Sequence, residues 1–288
     1  MQLQRHPGDD GHPVPNAQPR MLVVGVPQDG PDLPELPQDA GRFLLLLRGQ
    51  ARCHCRYGRF DLQAGSWLSI DGGEVRIDAV TPGALLLVLA VHPRLVPWFH
   101  DLPEAPVFFL GSGRAGRALR QAALRAWRLA MMPGPGANAR VHRAICAIQA
   151  SMLSDIARCP GYKTSSKRSV YLRMQRARLR LEGSPDRATR ISELALESGL
   201  SLWYFSKLFH VLHGVTPQRY GMQVRLAHAQ TLLATTSMEI ADVGMACGFE
   251  NPCSFARAFR ASFGEAASLH RLRGRSPSAR AMGMKEPR

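Results

Sequence analysis

The stretch "GMACGFENPCSFARAFR", Gly244 to Arg260, sets a Gly-Phe break between two short apolar-periodic runs and opens the second run with Asn-Pro. Glycine accepts the left-handed conformation that ends a helix, a conformation that side chains with a Cβ avoid. Asparagine caps the next helix through its side-chain oxygen, and proline suits the first turn, where its missing N–H has no helical partner. The stretch therefore predicts helix, tight turn, helix. The pattern occurs twice. "ISELALESGLSLWYFSKLFHVLHGVTP" from Ile191 lies over "IADVGMACGFENPCSFARAFRASFGEAA" from Ile240, with Ile191 on Ile240, Leu194 on Val243, Ala195 on Gly244, Gly199 on Gly248 and Leu200 on Phe249. After one extra residue in the second turn, Phe205 falls on Phe255, Phe209 on Phe259 and Gly214 on Gly264. Ser201 is the first copy's cap, Asn251 the second's.

Periodicity assigns faces to the second helix of each unit. Phe205, Leu208, Phe209 and Leu212 in one, and Phe255, Phe259 and Phe263 in the other, recur every three or four residues and form the inward stripe. Outward lie Trp203, Ser206, Lys207 and His210 in one copy, and Cys253, Ser254, Arg257 and Arg260 in the other. Lys207 and Arg257 hold equivalent places. A cationic side chain on such a face can reach guanine O6/N7 or phosphate in a major groove wide enough for a helix. A solvated basic face is the plain alternative, and the repetition in register argues against it. Between the units, "PQRYGMQVRLAHAQTLLATT" from Pro217 reads as one connecting helix, with Tyr220, Val224, Ala227, Leu232 and Leu233 as packing positions.

Charge supports the same division. Of 288 residues with net charge +15, residues 1–110 hold 9 Lys/Arg against 12 Asp/Glu, and residues 111–288 hold 28 against 10, so the halves stand at −3 and +18. Such asymmetry fits a polyanion-binding C-terminal half, and it also fits a basic face that is only solvated. The composition, 45% hydrophobic and 20% charged, is globular, and no apolar run reaches the roughly 18 to 20 residues of a membrane span. Residues 1–20, rich in Pro, Gly and acid without an apolar signal core, are expected to be a disordered lead-in on a cytoplasmic protein, with a second disordered segment at 276–288. Six irregularly spaced cysteines read as reduced thiols.

Upstream, residues 21–110 show short apolar stretches broken by Gly, Pro and Asp: "MLVVGV", "FLLLL", "ARCHCRY", "RFDL", "SWLSI", "EVRI", "ALLLVLAV" and "VFFL". These predict the strands of a small barrel or sandwich. Residues 111–160 read as two helices: an arginine-studded one from Arg114, and one from Ala139 whose Val141, Ile145, Ile148, Met152 and Ile156 make an apolar stripe fit for packing or dimerisation. "PGYKTSSKRS" reads as a linker.

Residues from about Val170 to Arg273 resemble the DNA-binding domain of AraC/XylS-type transcription regulators, whose two helix-turn-helix units are joined by a long helix. The likeness is carried by "ALESGLSLWYFSKLFH", "GVTPQRY", "RLAHAQTLLATT" and "IADVGMACGFENPCSFARAFRASFG". It implies base-contacting side chains early in the recognition helices, here Trp203, Ser206, Lys207, Cys253, Ser254 and Arg257. Where the family has Gly-x-Thr-Pro before its last helix, this chain has "GEAASLHR". More weakly, "GRFDLQAGSWLSIDGGE" resembles the cupin-like sensing domain many such regulators carry. The expected fold is α+β: a small cupin-like β domain at 21–110, a helical connector at 111–160, and an all-α DNA-binding domain with two helix-turn-helix units at 167–275.

Function follows in two classes. The leading one is a sequence-specific transcription regulator, an activator as most of the family are, acting on double-stranded DNA, recruiting RNA polymerase, pairing as a homodimer, and open to control by a small-molecule effector. No cofactor, membrane or catalytic role is expected. The alternative is a metal-dependent cupin enzyme or metal/redox sensor with a nucleic-acid-localising basic domain. Metal cupins need a convergent His-x-His, Glu and His set, which the sequence does not offer. "CHC" at Cys53–Cys55 is the tempting cluster: on a strand the two cysteines share a face while His54 points away, and two thiolates without two further ligands make a poor metal site, so they read as packed thiols. His92 and His100, beside prolines in a loop, are not read as catalytic.

Overall fold

The computed structural model describes residues 20–25, 41–91, 110–130 and 152–275. Its N-terminal part consists of strands β1 (Arg20–Gly25), β2 (Gly41–Arg48), β3 (Gln50–Cys55), β4 (Gly58–Gln63), β5 (Ser66–Ile70), β6 (Val75–Ala79), β7 (Leu85–Val91) and β8 (Gly111–Arg114). They form two antiparallel sheets, ordered β1-β7-β2-β5-β8 and β4-β3-β6. Alternation decides which side chains meet between them: Leu44 and Leu46 of β2 face Cys53, Phe60, Leu62 and Ile77 of the smaller sheet. Phe43, of opposite parity, stacks instead on Trp67 at 5.5 Å.

Among the described residues no strand pairing joins the two sheets, so the closed barrel implied by the cupin-like resemblance is not seen. The open edge has a physical explanation at β4. There the Arg59 N–H donates to the Gly183 carbonyl at 2.7 Å, so that helical backbone covers an edge that a further strand would otherwise occupy. Approach is close enough that a Cβ on Gly58 would stand 2.1 Å from the Gly183 oxygen. The larger sheet also extends past residue 110, because β8 pairs with β5 from Ser66↔Arg114 to Ser69↔Gly111.

The helices are α1 (Arg117–Ala130), α2 (Leu153–Arg158), α3 (Thr164–Glu182), α4 (Ile191–Glu197), α5 (Leu202–His213), α6 (Pro217–Thr235), α7 (Ile240–Ala246), α8 (Pro252–Phe263) and α9 (Ala267–Arg275). Helix α3 begins inside the stretch read as a linker. Of the apolar stripe expected to pack or pair, Val141, Ile145 and Ile148 lie outside the described residues, whereas Ile156 is buried and Met152 packs beside it in the core of the first helical unit. Residues 1–19 and 276–288, and His92 and His100, also lie outside them.

Two helical cores follow one plan. Tyr171, Met174, Ala177 and Leu181 of α3 pack on Leu194, Ala195, Phe205, Leu208, Phe209 and Leu212. Leu226, Ala229 and Leu233 of α6 pack on Val243, Phe249, Phe255 and Phe259, with Phe263 half-buried at the margin. The stripe on α6 thus differs from the one expected. Leu226 and Ala229 are buried and Ala227 is exposed. The reason is that α6 serves both units: Tyr220 meets the Phe209 ring edge-on at 5.6 Å in the first, and the rest of the stripe faces the second.

Gly199 and Gly248 end α4 and α7 at φ 63° and 71°, the left-handed position their spacing predicts. Their surroundings differ. A Cβ on Gly199 would find its nearest neighbour 3.8 Å away, but one on Gly248 would lie 2.6 Å from the Arg187 Cα. Gly199→Ala is expected to cost about 1–2 kcal/mol from backbone strain alone. Gly248→Ala should cost clearly more, because backbone must also move; equal melting losses for the two variants would contradict this packing.

His213 closes the first core, its ring 4.4 Å from that of Phe209, in the place Phe263 holds in the second. Its buried Nε2 has no hydrogen-bond partner among the described residues. Burial, followed by the charges of Arg178 and Arg158, holds its pKa down at about 3. The folded state therefore resists a proton that the unfolded chain accepts near pH 6.5. Stability is complete above that pH and falls as pH drops towards 3, by at most about 1.4 kcal/mol per unit. His213→Phe is expected to flatten this slope, read as urea midpoints between pH 7 and 4.5 against wild type.

Candidate nucleic-acid interface

Helices α5 and α8 are each aimed by a cap. Ser201 Oγ accepts from Tyr204 N at 3.3 Å at the start of α5, and Asn251 Oδ1 accepts from Ser254 N at 2.8 Å at the start of α8, where Pro252 takes the first turn. Each unit is also tied to the helix before it. Arg173 of α3 donates to the Ser198 carbonyl at 3.1 Å, and Arg225 of α6 donates to the Gly248 carbonyl at 2.8 Å. These arginines satisfy carbonyls that the ends of α4 and α7 leave open. They escaped the sequence reading, although Arg173 and Arg225 share one register with the pairs Met174/Leu226, Ala177/Ala229 and Leu181/Leu233.

With Phe205, Phe209, Phe255 and Phe259 buried, the opposite faces carry the expected side chains. Trp203 is 70% exposed. Lys207, also exposed, holds its ammonium 5.0 Å from the centre of the Trp203 ring, a cation–π contact that keeps both chains extended from one face. Ser206 beside them is half-buried. On α8, Cys253 and Arg257 are exposed, while Ser254 is half-buried and turns its hydroxyl back to the Asn251 carbonyl at 2.8 Å. The structure thus brings Trp203, Ser206 and Lys207 together on α5, and Cys253, Ser254 and Arg257 together on α8. Neither helix carries an acidic residue, so nothing on either offsets the cationic face.

Helix α6 separates the two units. Thr216 Oγ1 caps it by accepting from Arg219 N at 3.3 Å. Its 19 residues span about 28 Å at about 1.5 Å each. Its N-terminus is anchored by a polar cluster: Arg178 Nε donates to Glu182 at 2.8 Å and lies 2.9 Å from the Tyr220 hydroxyl, which itself donates to Glu182. Ser112 of β8 bonds the other oxygen of Glu182. The cluster joins sandwich, α3 and α6. Burial, then the Glu182 charge, raises the Tyr220 pKa, so the phenol stays a donor.

Elsewhere the described residues hold no group of three or more His, Cys, Asp or Glu side chains arranged to bind a metal ion, and no helix long and apolar enough to cross a membrane. Cys53 and Cys55 share a face of β3, Cys53 buried and Cys55 half-buried. The hydrogen bond between them, together with burial, pushes the Cys53 thiol up, and the same bond with the N–H groups of Tyr57 and Gly58 draws the Cys55 thiol down.

A family model described as a helix-turn-helix domain matches residues 194–273, the span of both units and their connecting helix. The transcriptional activator NphR of Rhodococcus sp is 37% identical over 81 residues, which are 28% of this chain and 24% of that protein. The chain spans about a quarter to a third of the length of curated relatives such as this one. Among solved structures, a probable AraC family transcriptional regulator from Rhodopseudomonas palustris CGA009 is 30% identical, with a TM-score of 0.34, over 36% of this chain and 98% of that one. A transcriptional regulator of the AraC-type DNA-binding class from Chromobacterium violaceum is 25% identical, with a TM-score of 0.35, over 40% of this chain and 99% of that one. The tandem helical unit at the C-terminal end of this chain is an AraC/XylS-family helix-turn-helix domain.

Proposed function

We propose that the chain is a sequence-specific DNA-binding transcription regulator, and an activator. The observation that carries this reading is the pair of capped helices in one repeat, each presenting a basic residue, Lys207 or Arg257, from a face opposite its buried phenylalanines. Helices of this kind enter major grooves. A spacer of about 28 Å sets two of them on successive turns of B-DNA, about 34 Å apart, when the duplex bends. Trp203, Ser206, Lys207, Cys253, Ser254 and Arg257 would read base edges, and the surrounding arginines would neutralise phosphate. The name of the Rhodococcus relative supports activation, which implies recruitment of RNA polymerase. The β sandwich is the proposed effector-sensing part, and pairing of two chains would let one regulator engage two sites at raised effective concentration. A metal-dependent enzyme is the weaker reading, since the described residues lack the ligand set.

The experiment is selection of bound duplexes from random DNA, followed by footprinting and titration. Protection in two adjacent major grooves is expected, with affinity falling steeply as salt rises because phosphate contacts release counterions. Lys207→Ala and Arg257→Ala should each weaken the selected complex by about 1–3 kcal/mol and leave melting unchanged. Phe209→Ala and Phe259→Ala should instead lose about 3–5 kcal/mol of stability. Equal affinity for random DNA would refute the reading, and loss of melting temperature in the basic-residue variants would refute the face assignment.

A further inference from the structure

We propose that the junction of the two helix-turn-helix units binds a small organic carboxylate built on about one ring. A cavity of about 140 Å³ opens there between the end of α3, the loop 183–190 that leads into α4, and the first turns of α6. Leu181, Ile191 and Met222 supply its apolar lining, and Ser184, Arg187 and Arg225 its polar lining. The site is separate from the sandwich, and its occupancy does not depend on the DNA-binding reading.

The polar groups are short of partners. Ser184 is only 7% exposed; its N–H donates to the Leu181 carbonyl at 3.4 Å, but its hydroxyl makes no hydrogen bond among the described residues. A buried hydroxyl left in that state is costly, and a ligand oxygen would satisfy it. Arg187 is exposed and has neither a hydrogen bond nor an ion pair among the described residues. Its neighbour Asp186 acts instead on Cys247 and His228. Arg225 is half-buried, and burial pulls its pKa below the ordinary value with only Cys247 in opposition.

Two guanidiniums without a carboxylate partner select an oxyanion, because the planar fork of arginine donates in parallel to two oxygens. Arg225 is already ordered: Nη1 donates to the Gly248 carbonyl at 2.8 Å, and the guanidinium lies 4.6 Å from the centre of the Phe249 ring. Little freedom is therefore lost when it binds. Size and apolar lining choose among oxyanions. A cavity of roughly 150 Å³ takes a guest the size of benzene. Inorganic phosphate would desolvate against Leu181, Ile191 and Met222 without matching them, whereas a ring covers them and leaves its carboxylate to the arginines and Ser184. Such a ligand touches both units, since Arg225 carries the contact to the turn at Gly248, which lies against the Arg187 backbone.

The test titrates full-length protein calorimetrically with benzoate, benzyl alcohol and inorganic phosphate. Benzoate is expected to bind at one site with a Kd of about 1 mM or tighter, and the other two at least about tenfold more weakly. Arg187→Ala should weaken benzoate binding by about tenfold or more, and Ser184→Ala by about two- to tenfold, the ranges for a charge-assisted and a neutral hydrogen bond. Neither side chain has a hydrogen bond among the described residues, so melting should be unchanged. Benzyl alcohol or phosphate binding as tightly as benzoate, or undiminished benzoate binding in folded Arg187→Ala, would overturn the site. Loss of duplex affinity in Arg187→Ala with benzoate binding intact would make this arginine a DNA phosphate contact and would overturn it equally.

Discussion

Helix α3 belongs to two hydrophobic cores at once, and the architecture rests on that sharing. Leu179 lies with Leu44, Leu46 and Leu68 of the sandwich, while Tyr171, Met174, Ala177 and Leu181 lie with the first helix-turn-helix unit. Burying a leucine contributes roughly 1.5–3 kcal/mol. Separating the halves would expose Leu179 and half-buried Leu172 and would strip Gly183 from the β4 edge. The close approach of Gly58 to Gly183 allows that backbone contact, since a side chain on either residue would hold the chains apart.

The repeat is wider than a helix-turn-helix pair. Each unit is three helices, α3-α4-α5 or α6-α7-α8, and the first helix of each lends a stripe at one register and an arginine at one place to its partner turn. Aromatic positions follow the same plan with the chemistry exchanged: Phe209, His213 and Tyr220 in one unit, Phe259, Phe263 and His270 in the other. The absent Thr-Pro before the last helix is offset in kind. With Ala266 in the capping place, Glu265 turns inward, its carboxylate 2.8 Å from His270 Nδ1 and 2.7 Å from the Arg273 guanidinium, so carboxylate contacts hold the start of α9 where a hydroxyl cap holds α6.

Local rules account for what was legible in the sequence. Gly199, Gly248, Ser201 and Asn251 act within a few residues of themselves, so their spacing announced the turns and caps before any contact was known. The reader faces were legible because a single core lies on one side of α5 and of α8. On α6, Ala227 was misplaced and Leu226 and Ala229 were missed because two cores claim different stretches of one helix, which breaks a single period. On α3 the clue lay in the register: Leu179 corresponds to Thr231 of α6, an exposed position, so its apolar character answers to a neighbour outside the repeat. The open sheets were not legible, since alternation reports which face of a strand is buried and says nothing about which strands close on one another.

The parts of the chain meet at the anchor of α6. Glu182 accepts from Ser112 of the sandwich, Arg178 of α3 and Tyr220 of α6, so three elements share one half-buried carboxylate. Any displacement of the sandwich that breaks the Ser112 bond leaves one Glu182 oxygen short of a partner, at a cost of about 1–3 kcal/mol for a buried group. Tyr220 packs on Phe209 and sits in the first turn of the helix that separates α5 from α8. One carboxylate thereby holds the sandwich edge and the first turn of the helix that separates α5 from α8 in a fixed relation.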